Sequence, residues 1–176
     1  MQEKQITKRA IAESFQRLLE QRSFASITVE DISKEASISR RTFYRHFADK
    51  YELLNWIYDC DMEIQARGEE VITSQDYLKE ICCIFYKNKL FYKKAFMVEG
   101  QNSLCEYCQN QLCGVVRNDF PPKDSSENLY THMLNYFTKA ICDAIRLWIM
   151  DERDMLSSSF AEELWKSTAV FGVSTL

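Results

Sequence analysis

Apolar positions along this chain recur at helical rather than strand spacing. Ile11, Phe15, Leu18 and Leu19 line one face of a helix over residues 4–22, and Phe24 and Ile27 return the chain to that face. Three helix starts then follow within a short span. Thr28 is an N-cap with Asp31 three residues on, and Ile27 is placed to staple against Ile32. Ser39 is the next cap, with Ile38 set against Phe43, and Asp49 is the third, with Glu52 and Leu53 following it. Such closely spaced starts predict short helices at defined angles, as a helix-turn-helix requires. The intervening turn, Glu35-Ala36-Ser37-Ile38, has no glycine, so Ser37 must take up the tight geometry.

Beyond residue 50 the pattern lengthens. Leu53, Leu54, Trp56 and Ile57 mark a helix over 50–67, and further helices are expected at 77–87, at 90–98 and from beyond Ser103 to about Val116. Breaks fall at 68–74, 100–103 and 118–126, the last containing Pro121-Pro122. The longest helix spans 127–150. Tyr130, Leu134, Phe137, Ile141, Ile145 and Trp148 form one stripe on it, and Met133, Tyr136, Ala140, Ala144 and Leu147 a second. A helix apolar over so wide an arc is covered on more than one side, by its own domain and by a partner chain. Phe160, Leu164, Thr168 and Phe171 give the final helix a similar stripe. Candidate dimer contacts are therefore Tyr130, Leu134, Phe137, Ile141, Phe160, Leu164 and Phe171.

Composition supports an all-α fold, since only 4 Gly and 2 Pro interrupt 176 residues. We expect a small helix-turn-helix domain over 1–50 and a helical effector-binding and dimerisation domain over 51–176. Charge separates the same halves. Residues 1–50 carry 10 Lys and Arg against 7 Asp and Glu, and the remainder carries 12 against 19. A basic small half on an acidic large half fits nucleic-acid contact by one part only. No apolar run has the length of a membrane span or the character of a signal peptide, so a cytoplasmic protein without membrane contact is expected.

The chemistry of the basic half is that of a major-groove reader. Arg40, Arg41 and Thr42 follow the Ser39 cap. Arginine can bond guanine through two donors, and a threonine methyl can touch that of thymine. Tyr44, Arg45 and His46 follow, and Tyr44 is suited to donate to a phosphate. His46 fits either a phosphate contact or a structural hydrogen bond. Lys50 at the next helix start and the Thr28 hydroxyl with the amides behind it offer phosphate contacts on either side. Phe43 and Phe47 alternate with these positions and are expected to point inward.

The run ITVEDISKEASISRRTFYRHFADKYELL resembles the DNA-binding signature of TetR-type transcriptional regulators. Thr42, Tyr44 and Phe47 supply its T-x-Y-x-x-F pattern, followed by Lys50 and a Leu pair, while Ser37 stands where that family usually has glycine. The resemblance covers about residues 5–58. It implies about nine helices, a homodimer formed by the last two long ones, and binding to a palindromic operator in double-stranded DNA. It also implies phosphate and base contacts at Thr28, Ser39, Arg40, Arg41, Thr42, Tyr44, His46 and Lys50. The fragments NKLFYKKAF and AICDAIRLWI resemble the C-terminal type of the dihydroxyacetone-kinase operon activator branch, in which control by a protein coregulator stands beside control by a small molecule.

Other chemistry is sparse. Cys105, Cys108 and Cys113 read as free, partly buried thiols, with oxidant or metal sensing as the competing reading. Glu106 disfavours a lowered thiol pKa, and only two histidines are present to complete a metal site. Tyr58, Phe85, Phe91, Tyr92, Phe96 and Trp148 are candidates to line a ligand cavity, with ordinary packing as the competing reading. No phosphate loop, zinc-protease motif or nucleophile-base arrangement is present, so no enzyme, cofactor or metal is expected. A helical adaptor or coactivator, with DNA contact secondary, is the alternative function.

Overall fold

The computed structural model describes residues 2–65, 73–98, 102–122, 127–153 and 155–170. Within them it has nine α-helices and no strand. These are α1 (Gln2–Gln21), α2 (Val29–Glu35), α3 (Arg40–Tyr44), α4 (Lys50–Gln65), α5 (Ser74–Lys87), α6 (Lys89–Ala95), α7 (Leu104–Asp119), α8 (Glu127–Met150) and α9 (Ser157–Val170), with a 3-10 turn at Phe24–Ser26. The all-helical expectation holds. The breaks expected at 68–74, 100–103 and 118–126 lie partly outside the described residues, and Phe171 lies wholly outside them.

The described residues fall into two compact units. One lies within Met1–Asp61 and Leu90–Leu104, the other within Met62–Lys89 and Cys105–Leu176. In the first unit α1 packs on α2, and α2 on α3. Their shared core is Ile11, Phe15, Leu19, Ile27, Ile32, Phe43, Phe47, Leu53 and Leu54, each at most 1% exposed. Burying a side chain of this size stabilises a fold by about 1.5–3 kcal/mol, so the short α3 is held by packing rather than by its own propensity. The stretch Leu90–Leu104 joins this unit through buried Phe91 and Tyr92. The Tyr92 hydroxyl donates to Asp61 at 2.5 Å and Lys94 Nζ donates to the Glu20 carbonyl at 2.7 Å.

In the second unit α5 packs on α9 and α8, and α8 on α9. Trp148 of α8 touches both other helices. Its ring stacks on Phe160 at 4.5 Å and on Tyr86 at 6.2 Å, and its indole N–H donates to the Met155 carbonyl.

The turn between α2 and α3 resolves the missing glycine. Ser37 takes a left-handed backbone with φ of 54°. Ile38 N–H donates to the Ser33 carbonyl at 2.9 Å and Ser37 N–H to the Lys34 carbonyl at 3.1 Å. This is a Schellman closure, in which position C′ favours glycine. A side chain held in that region costs about 1–2 kcal/mol. Ser37→Gly is therefore expected to raise the unfolding free energy by about 1 kcal/mol, some of the relief being offset by the added freedom of the unfolded chain. A rise in denaturant midpoint at constant slope checks this.

Candidate nucleic-acid interface

The helix starts read from the sequence are built as hydrogen-bonded caps. Asp31 N–H donates to Thr28 Oγ1 at 3.1 Å, while Thr28 N–H and its hydroxyl both donate to Asp31 Oδ2 at 2.8 and 2.7 Å. Those bonds, with Arg22 beside it, hold the Asp31 carboxyl at a pKa of about 2. Thr42 N–H donates to Ser39 Oγ at 3.0 Å, and the two hydroxyls meet at 2.9 Å. Asp49 accepts from the amides of Tyr51 and Glu52, and Glu52 accepts from Ala48 N–H.

Capping fixes the start of α3, and the Phe43 ring fixes its rotation. Phe43 is fully buried, with the Tyr44 ring edge-on to it at 5.6 Å and Phe47 at 5.9 Å. That leaves Ser39, Arg40, Arg41, Tyr44 and Arg45 exposed, and Thr42 and His46 half-buried. Tyr44 exposes 51% of its surface even though its ring meets Phe43.

Pairing separates two classes of arginine. Arg17 bonds Glu35 at 3.2 Å and Arg22 bonds Asp31 at 3.3 Å. Arg40, Arg41 and Arg45 pair with no carboxylate among the described residues. Arg17 and Arg22 are thus neutralised locally, whereas Arg40, Arg41 and Arg45, like Arg9 on α1, have no carboxylate partner among the described residues and can meet an external anion.

Two residues sit differently from the rest. Lys50 turns inward: Nζ donates to the carbonyls of Phe24 and Ile27 at 2.7 and 2.8 Å and lies 4.3 Å from the Phe24 ring centroid. Burial pushes its pKa below the usual lysine range. Two of its three N–H donors therefore close the 3-10 turn that leads into the Thr28 cap, leaving one for any phosphate. His46 has Nδ1 buried without a hydrogen-bond partner. Burial and then the charges of Lys4, Arg45 and Lys8 hold its pKa below 6.5.

The remaining candidates divide between the units. Tyr58, Phe91, Tyr92 and Phe96 are buried in the first, Phe85 and Trp148 in the second. Of the candidate dimer contacts, Tyr130, Leu134 and Ile141 are at most 6% exposed and belong to the core of their own unit, while Phe137, Phe160 and Leu164 are half-buried. Of the other α8 stripe, Met133, Tyr136 and Leu147 are 48%, 82% and 64% exposed, Ala140 is exposed and Ala144 half-buried, and Leu129 one turn earlier is 55% exposed. None of the seven cysteines, all among the described residues, is in a disulfide. Cys108 is buried, Cys113 Sγ lies 2.9 Å from Thr138 Oγ1, and burial followed by Asp143 raises the Cys105 thiol pKa. Among the described residues no group of His, Cys, Asp or Glu side chains is arranged to hold a metal, and no helix is long and apolar enough to cross a membrane.

Comparison with known proteins agrees with this geometry. The family described as "Bacterial regulatory proteins, tetR family" matches residues 16–57, and "Transcriptional regulator C-terminal region" matches residues 73–168. The HTH-type dhaKLM operon transcriptional activator DhaS of Lactococcus lactis subsp. lactis (strain IL1403) is 24% identical, over 74% of this chain and 88% of that protein. A solved structure of dihydroxyacetone kinase operon activator DhaS superposes with a TM-score of 0.61 at 25% identity, over 94% of this chain and 97% of that one. A TetR transcriptional regulator from Streptococcus agalactiae 2603V shares the fold, with a TM-score of 0.66 at 20% identity over 94% and 95% of the two chains. This chain belongs to the TetR family of transcriptional regulators, and within it resembles the DhaS branch.

Proposed function

We propose that the chain binds a palindromic operator as a homodimer and reads it with α3. The observation that carries this is the set of unpaired guanidiniums on Arg40, Arg41 and Arg45, exposed on a capped helix that Phe43 and Phe47 hold in one orientation. Arg40 and Arg41 reach guanine edges. Thr42, whose hydroxyl is engaged with Ser39, reads through its methyl. Ser39, Tyr44, Arg45 and His46 grip phosphates, and Thr28 and the remaining Lys50 donor do so on the flank. Residues 1–50 serve as the DNA-binding domain and 51–176 as the part through which control is exerted.

The second copy is held by the outward stripe of α8, Leu129, Met133, Tyr136, Ala140 and Leu147. These positions lie within one narrow arc of the helix and run about 27 Å along it at 1.5 Å per residue. Control comes from a small molecule or a protein partner acting on the C-terminal helices, and any such effector must prefer one separation of the recognition helices. Operon activation, the role of the DhaS relatives, favours activation over repression here.

Retrieval of fragments from a random duplex pool by the purified protein tests the reading. Enrichment of an inverted repeat is expected; a pool without any common sequence would contradict it.

A further inference from the structure

Lys4 and Lys8 lie one turn apart on α1, and the same helical face continues as Ile11 and Phe15, both fully buried. The face that packs the DNA-binding unit therefore ends in two ammonium groups instead of two apolar side chains. Lys8 is half-buried, with Nζ 4.9 Å from the centroid of Phe47 and 5.2 Å from that of Trp56. It is thereby held beside the segment Arg45-His46-Phe47 that closes α3. Lys4 and Arg45 are exposed. Neither lysine pairs with a carboxylate among the described residues, and the charges felt by His46 are all cationic: Lys4, Arg45 and Lys8.

Three uncompensated cations around one imidazole repel one another, and an anion placed among them relieves that repulsion. We propose that Lys4, Lys8, Arg45 and His46 form a seat for a DNA phosphate outside the recognition helix, so that the start of α1 grips the backbone flanking the bases read by α3. This rests on the DNA-binding reading above and adds α1 to the footprint. A seat of this kind adds affinity on every sequence and no discrimination, because phosphates carry no base identity.

The test uses the full chain and two duplexes, a retrieved inverted repeat and a random sequence of equal length. Lys4→Gln with Lys8→Met removes both charges while keeping an apolar stem over Phe47 and Trp56. The slope of log K against log salt is expected to fall by about 1.8, at about 0.9 for the one phosphate seat lost in each of the two subunits, equally on both duplexes. Lys4→Arg with Lys8→Arg should retain the original slope. Weaker binding at an unchanged slope would mean the lysines only support the fold, and would overturn the seat while leaving DNA binding intact. No binding of either duplex by the unsubstituted chain at low salt would overturn both.

Discussion

Replacing Tyr136 and Leu147 by aspartate is expected to give a monomer and to weaken operator binding by about 10²–10⁴-fold, the gain that joining two binding modules provides. Tyr136 and Leu147 are 82% and 64% exposed, so the substitutions leave no cavity and the subunit should keep its helical content. The apolar row they belong to, from Leu129 through Met133 and Ala140, is the kind of exposed patch that marks a protein contact. A charge buried in a self-complementary interface meets its own copy or an apolar surface, and both are costly. Sedimentation of the variant at micromolar concentration, with anisotropy titration of a labelled operator, measures the two effects together. A variant that remains dimeric would remove this stripe from the interface. A monomer that binds with undiminished affinity would remove dimerisation from the mechanism. Leu134 and Ile141 are poor probes of the same question, because they are buried in the subunit and their truncation would cost about 2–5 kcal/mol of folding stability.

Arg41→Ala is expected to cost about 1–3 kcal/mol at one base pair of each half-site and nearly nothing on random DNA. Arg41 is exposed two residues after the Ser39 cap and pairs with no carboxylate among the described residues, so its removal disturbs no internal contact. Competition between the retrieved operator and single-base variants should show relaxed preference at one position. A uniform loss across all variants would assign Arg41 to a phosphate instead.

What the sequence made legible follows from how local each feature is. Helix caps depend on residues three apart, and Thr28 with Asp31, Ser39 with Thr42 and Asp49 with Glu52 all bond as their spacing implies. The left-handed Ser37 follows from the same local geometry. Features that depend on distant packing were harder to read. Lys50 bonds carbonyls 23 and 26 residues away, which no spacing rule reveals. Lys8 finds Phe47 and Trp56 only once α1 is docked, although its place on the Ile11–Phe15 face was a usable signal. The two stripes of α8 were both visible, but which faces inward depends on α5 and α9, and the more regular aromatic stripe is the inner one. The joining of residues 90–104 to the N-terminal unit rests on Tyr92 with Asp61 and Lys94 with Glu20, pairs without a sequence pattern.

Two copies of α3 are expected to enter successive major grooves on one face of the duplex. Hydroxyl-radical footprinting on the retrieved inverted repeat, with guanine N7 methylation interference, measures it most directly. Two protected segments related by the dyad are expected, with interfering guanines in two major grooves about 34 Å apart. A single protected segment, or protection without interference at any guanine, would contradict it.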